Sequence, residues 1–161
     1  MSEMTTIGVD PGQAGGLALV RCGALVSGLR MPVAVVRGGK RVVDARAVMR
    51  WLSDCGPVDG IVIEAVHAMP GQGVTSTFQF GRALGAIEGL MAAHGAPLHY
   101  VSPASWKRRA GLSSDKQASL DMAKRRFGAR ADTLLRFKAD DGIAEAALMA
   151  LLLQTDPDLF H

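Results

Sequence analysis

The apolar and polar positions alternate in short runs near the N-terminus and switch to helical spacing further along. Thr6-Ile7-Gly8-Val9-Asp10 is β-prone and ends in an acid, with Pro11-Gly12 turning the chain after it. Leu17-Ala18-Leu19-Val20 and Ala24-Leu25-Val26-Ser27-Gly28-Leu29 follow as second and third strands, separated by the turn Arg21-Cys22-Gly23. Such close spacing predicts an antiparallel meander. The stretch Val33 to Val43 is broken by a polar loop, Arg37-Gly38-Gly39-Lys40-Arg41. Asp44 is placed to cap a helix running through Ser53, with Ala47, Val48, Trp51 and Leu52 on one face. Val58 to Glu64 reads as the most buried strand, and it too ends in an acid. A Gly/Ser/Thr/Pro-rich loop from Ala65 to Thr77 precedes a helix from Phe78 to Ala93, with Phe80, Leu84, Ile87 and Met91 at helical spacing. Leu98 to Val101 is a short strand. Helices are then expected from Ser102-Pro103 to about Arg109, from Ser114 or Asp115 to about Phe127, and from Ala139 to Gln154. The order β-β-β-α-β-α-β-α-α-α describes an α/β domain with a mixed sheet.

Composition narrows the class. At 161 residues, 48% of them apolar, the chain is long enough for one ordinary domain with a real core. No apolar run reaches the roughly 18 residues a membrane span needs. Met1-Ser2-Glu3-Met4-Thr5-Thr6 shows no basic n-region and no cleavage-type segment. The two cysteines, Cys22 and Cys55, make no disulfide framework, and no Cys/His spacing suggests zinc. The expectation is a soluble, reduced, cytoplasmic domain spanning residues 1–161.

Charge adds a partner class. The net charge is only +3, but residues 107–138 carry 10 basic and 3 acidic side chains, while residues 139–161 carry 5 acidic and none basic. A basic third of this kind either attracts phosphate backbones or is simply a solvated helical face.

The candidate chemistry lies in the acids. Asp10 and Glu64 each close an apolar strand, where a carboxylate is costly unless paired, hydrogen-bonded or bound to a cation. Strand ends of α/β sheets are also where sites form. Asp140, Asp141 and Glu145 open the last helix, and the i,i+4 pair Asp141 and Glu145 share a face. Asp140 has the helix dipole as an alternative explanation. Glu145 does not, being a turn inside an apolar segment. Converging acids of this kind suit hard divalent cations and phosphodiester hydrolysis, with basic residues holding the backbone. His67, three residues after Glu64, is either a base or a solvated loop histidine. His94 is a weaker signal still.

The motifs together resemble the RuvC-type Holliday-junction resolvases. Ile7-Gly8-Val9-Asp10-Pro11-Gly12 with Gly16-Leu17-Ala18 resembles their first motif. Ile61-Val62-Ile63-Glu64, a loop, and Phe78-Gln79-Phe80-Gly81-Arg82-Ala83-Leu84-Gly85 resemble the second acidic motif and central helix. Val101-Ser102-Pro103, Trp106-Lys107, Gly111-Leu112 and Asp115-Lys116 resemble the basic region, and Lys138 to Ala146 the closing acidic motif. The resemblance spans roughly residues 5–153. It implies an RNase H-like fold: a five-stranded mixed sheet, three antiparallel strands then parallel ones, with helices on both faces. It implies a homodimer through the helix 78–93, Mg²⁺ or Mn²⁺ (two ions per active site), and paired nicks in four-way DNA junctions inside a bacterial cell or phage-infected host. Asp10 and Glu64 carry over directly. The usual bacterial pattern has two acidic (or His and Asp) residues three apart on the last helix. Here Asp141 and Glu145 are four apart, a spacing more like that of phage, poxviral and mitochondrial relatives. These four are the expected metal ligands, with Asp140 as a further catalytic candidate. Lys107 and Lys116 match positions near the scissile phosphate. Arg108, Lys124 and Arg125 are expected to contact DNA, and the loop 66–77 to enter the junction centre.

Gly81, Gly85 and Gly89 recur every four residues, at about 1 kcal/mol per helical glycine relative to alanine. They mark a close approach, either to a twin helix or to the domain's own sheet. Phe80 is expected in the core. Phe78 is either core or a platform for an unpaired base. Two rivals remain: another RNase H-like nuclease, such as one trimming ribosomal RNA precursors, and a junction-binding module without catalysis. The opening motif also occurs in actin-like phosphotransferases, which need a much longer chain.

Overall fold

In the computed structural model, which describes residues 3–160, the chain follows β1 (Thr5–Asp10), β2 (Gly16–Arg21), β3 (Ala24–Arg30), β4 (Val33–Val36), β5 (Lys40–Val43), α1 (Ala45–Cys55), β6 (Gly60–Glu64), α2 (Val74–His94), β7 (Leu98–Val101), α3 (Pro103–Arg109), α4 (Lys116–Phe127), α5 (Ala129–Leu134) and α6 (Asp141–Thr155). A 3-10 turn, Lys138–Asp140, leads into α6, and another, Pro157–Phe160, follows it. Five strands form one sheet in the order β3-β2-β1-β6-β7. The β1–β2 and β2–β3 pairs are antiparallel, and β1–β6 and β6–β7 are parallel. This is the mixed sheet that the strand pattern and the resemblance both implied.

Period-two alternation sorts the sheet into two faces. Ile7, Val9, Ile61 and Ile63 pack with Val48 and Leu52 of α1 and Ile87 and Met91 of α2. Ala18, Val20 and Val62 pack on the other face with Trp106 of α3, Leu120 and Ala123 of α4, and the apolar body of α6. The same parity directs Asp10 and Glu64 to the α6 face. Parallel pairing of Gly8 with Val62 and Val9 with Ile63 sets those two strand ends side by side.

Glycine allows α6 to lie on the sheet backbone to backbone. A Cβ built on Gly8 would stand 1.8 Å from the Ala146 carbonyl oxygen, and one on Gly142 would stand 2.5 Å from the Gly15 carbonyl carbon. No side chain fits at either position, so α6 is seated against β1 and the turn after Asp10.

Several expectations need correction. The stretch 33–43 is a regular hairpin, β4 paired with β5, forming a second small sheet. Its Gly38 and Gly39 both have positive φ, which lets the polar segment close as a tight turn. Helix α2 begins at Val74, four residues before Phe78, so the loop shortens to residues 65–73. Its first turn is exposed and therefore lacks the apolar spacing that signals a helix; Gln72 Nε2 donates to Ser76 Oγ across it. Phe80 is only half-buried, because the buried stripe of α2 is Ala83, Ile87 and Met91. Helix α5 was not foreseen, and the last helix starts at Asp141 after its 3-10 turn.

Candidate metal and nucleic-acid site

Three carboxylates meet at the C-terminal ends of β1 and β6. One oxygen each from Asp10, Glu64 and Glu145 lies within 4.8 Å of the others, and all three residues are buried. Each comes from a different element: the last residue of β1, the last of β6, and the second turn of α6. Asp141, half-buried, stands one turn earlier on α6 at the margin of the cluster.

The protein supplies partners without neutralising the group. Trp106 Nε1 donates to Glu64 Oε2 at 2.6 Å. Ser119 Oγ donates to Glu145 Oε1 at 3.1 Å, and Lys107 Nζ lies 2.8 Å from the same oxygen. Lys116 Nζ lies 3.3 Å from Asp141 Oδ2. Four carboxylates thus face two lysines, a shortfall of two positive charges when all are ionised. The consequence appears at Asp10, which has no hydrogen-bond donor of its own among the described residues. Burial, then Glu64 and Glu145, push its carboxyl up to about 8. Burial also raises Glu64, opposed by the Trp106 hydrogen bond. Burial alone would lower the Lys116 ammonium, but Asp10, Asp141 and Glu145 outweigh it and hold it above the usual range. A buried set of hard oxygen donors short of two charges suits a divalent cation.

The other expected residues separate. Asp140 does not join the cluster: it is turned to Arg30, whose Nε lies 2.6 Å from its Oδ1, and its Oδ2 accepts from the Phe137 amide at 2.7 Å. Its buried carboxylate anchors the turn before α6. Arg108, Lys124 and Arg125 are exposed, the last two in the final turn of α4. Phe78 is 62% exposed near the start of α2, with the Arg82 guanidinium 5.9 Å from its ring centre. His67 is an exposed loop residue, and His94 Nε2 bonds the Gly56 carbonyl oxygen, tying the ends of α1 and α2 together. Gly81, Gly85 and Gly89 are exposed, with nothing within 4 Å of an added Cβ. They do not approach the domain's own sheet.

Sequence reasoning missed two residues that orient the cluster, Trp106 and Ser119, and a third, Arg30, that holds Asp140 away from it. Trp106 stood within a motif, but nothing marked it as the donor to Glu64. Its one signal was a large apolar side chain inside a basic run. Ser119 carried no signal, being a small polar residue in a polar helix. Arg30, at the end of β3, gave no hint that it would claim Asp140.

No protein-family model matches the chain. The crossover junction endodeoxyribonuclease RuvC of Nitratidesulfovibrio vulgaris is 29% identical over 170 residues, covering 95% of this chain and 93% of that protein. Among solved structures, T. thermophilus RuvC in complex with Holliday junction substrate aligns with a TM-score of 0.63 at 18% identity, over 95% of this chain and 96% of that one. The yeast mitochondrial Holliday junction resolvase Ydc2 aligns with a TM-score of 0.50 at 14% identity, over 92% and 78%. At these identities the structural likeness establishes the fold.

Proposed function

We propose that this chain, a RuvC homologue with the RNase H-like fold of the resolvases, is a metal-dependent, structure-selective endonuclease that resolves four-way DNA junctions by paired nicks. The observation that carries the reading is the convergence of Asp10, Glu64 and Glu145 at one sheet end of that fold. These three, with Asp141 at the margin, would hold Mg²⁺ or Mn²⁺, two ions per site. Such cations, when bound, supply Lewis-acid stabilisation of the attacking nucleophile and of the leaving oxygen.

The chain's own groups do the rest. Trp106 and Ser119 fix the carboxylate orientations of Glu64 and Glu145. Lys107 balances Glu145 from within the site. Lys116, with its side chain 57% exposed, reaches both the acids and an incoming phosphate. Arg108, Lys124 and Arg125 bind duplex arms through phosphates. Phe78 and the loop 65–73 enter the junction centre, where the exposed ring offers a stacking face. The exposed glycine face of α2 packs on its twin in a homodimer, and a two-fold enzyme then nicks a two-fold substrate symmetrically. On this reading one nuclease domain acts on DNA in the cytoplasm of a bacterium or phage-infected host; no helix among the described residues is long and apolar enough to cross a membrane.

The test is a panel of labelled four-way junction, duplex, flap and RNA substrates incubated with Mg²⁺ or Mn²⁺. Symmetric nicks confined to the junction are expected. Preferential cutting of structured RNA would replace this reading with RNA processing, and tight junction binding with no product would leave a binding module.

A further inference from the structure

The basic residues of α3 and α4 approach the acidic centre from the α6 face of the sheet. A second basic feature lies on the other side, where the sequence showed only a polar loop. The β4–β5 hairpin carries Arg37, Lys40 and Arg41 and no acid. Among the described residues none of the three forms an ion pair, and all are exposed. Val43 at the hairpin's base and Met31 just before it pack in the core beneath α1 and α2, so the hairpin belongs to the face opposite α4.

Between this hairpin and the start of α6 runs an open cleft of about 530 Å³. Gln13, Arg30, Met31 and Arg41 line it together with Asp141 of the acidic centre. Arg30 is held in place by its Nε bond to Asp140 and by the Phe137 ring 5.6 Å from its guanidinium. That leaves its two terminal amino groups for an acceptor in the cleft.

The hairpin is also tied to the catalytic turn. Gln13 Nε2 donates to the Arg41 carbonyl oxygen at 2.9 Å, and Met31 N to the Gly15 carbonyl oxygen at 3.0 Å. These bonds join the hairpin to the turn that follows Asp10, three residues before Gln13.

We propose that this cleft is a second nucleic-acid contact, in which Arg41 of the hairpin and Arg30 beside the start of α6 hold backbone phosphates of the strand adjoining the scissile bond. The inference rests on the nuclease reading above and adds a surface to it. Arg41 is the residue to probe, because its side chain has no partner among the described residues, whereas Arg30 also anchors Asp140.

The experiment compares wild type, Arg41→Ala and Arg41→Lys for binding of a four-way junction in chelator across a KCl series, with cleavage by wild type measured alongside. Each lost phosphate contact lowers the slope of log K against log salt by about 1. Arg41→Ala should weaken binding about 3- to 10-fold at low salt and lower the slope by about 1, and Arg41→Lys should restore the slope. Wild-type affinity and slope in Arg41→Ala, with wild type cutting junctions normally, would overturn the cleft while leaving the nuclease intact. Weakened binding with an unchanged slope would also overturn it, since the contact would then not be ionic. If wild type neither binds nor cuts junctions, it is the nuclease reading that fails.

Discussion

At the residue scale, the centre is poised around Asp10. Its carboxyl is raised from 3.8 to about 8 by burial and by Glu64 and Glu145. The folded protein therefore holds a proton that the unfolded chain releases above about pH 4. Without metal, stability should fall as pH rises through the window from 4 to 8 and level off beyond it. Thermal melts in chelator from pH 5 to 8.5 test the sign, and Asp10→Asn should flatten that dependence. The same variant should stabilise the metal-free protein by about 0.5–2 kcal/mol at pH 8, lose junction cleavage by at least about 10³-fold, and keep junction binding nearly unchanged. Normal cutting by Asp10→Asn would remove it from the metal site. Trp106 acts one step out: its indole N–H is the donor that fixes Glu64. Trp106→Phe should weaken Mn²⁺ binding about 10- to 100-fold with the fold retained, as read by calorimetric titration. Unchanged affinity would reduce Trp106 to packing.

At the element scale, α6 and α2 make opposite uses of glycine. Under α6 the glycines are contact points, and Gly8 leaves no room for a methyl group beside the Ala146 carbonyl. Gly8→Ala should therefore shift α6, cost at least about 3 kcal/mol and move Glu145 away from Asp10. Denaturant titration and cleavage rate should fall together; a stable, active Gly8→Ala protein would contradict the close seating. On α2 the glycines face outward with open space beyond them. Gly85→Leu should leave the monomer folded, since leucine is a better helix former, yet shift sedimentation toward the monomeric mass. A wild-type sedimentation profile for this variant would take α2 out of the interface.

At the scale of the whole molecule, a net charge of +3 hides a polarised surface. The buried acids are flanked by exposed lysines and arginines of α3 and α4 on one face and by the basic hairpin on the other. Junction affinity should fall steeply with salt, because each phosphate contact releases counterions. Lys124→Ala with Arg125→Ala should reduce the slope of log K against log salt by about 2. A shallow slope in the wild-type protein would mean that the basic faces do not carry binding.

Local pattern alone yields the mixed sheet and most of the strand and helix order, lacking only the β4–β5 hairpin and α5, and it singles out the acids that end β1 and β6 as candidates. Short-range physics suffices for these: alternation sets which strand residues are buried, and a carboxylate ending a buried strand is conspicuous because desolvation penalises it. That Asp10 and Glu64 share a face follows from the parallel register of β1 and β6, Gly8 beside Val62 and Val9 beside Ile63. Tertiary structure alone decided the remainder. Asp140 and Glu145 are both acids near the start of one helix, yet one is claimed by Arg30 and the other enters the cluster. The difference lies in how α6 docks, through contacts more than a hundred residues apart in the chain. The same holds for Trp106 and Ser119, and for a hairpin that local pattern shows only as a polar interruption. Which polar group finds which partner depends on long-range packing, and no local periodicity encodes it.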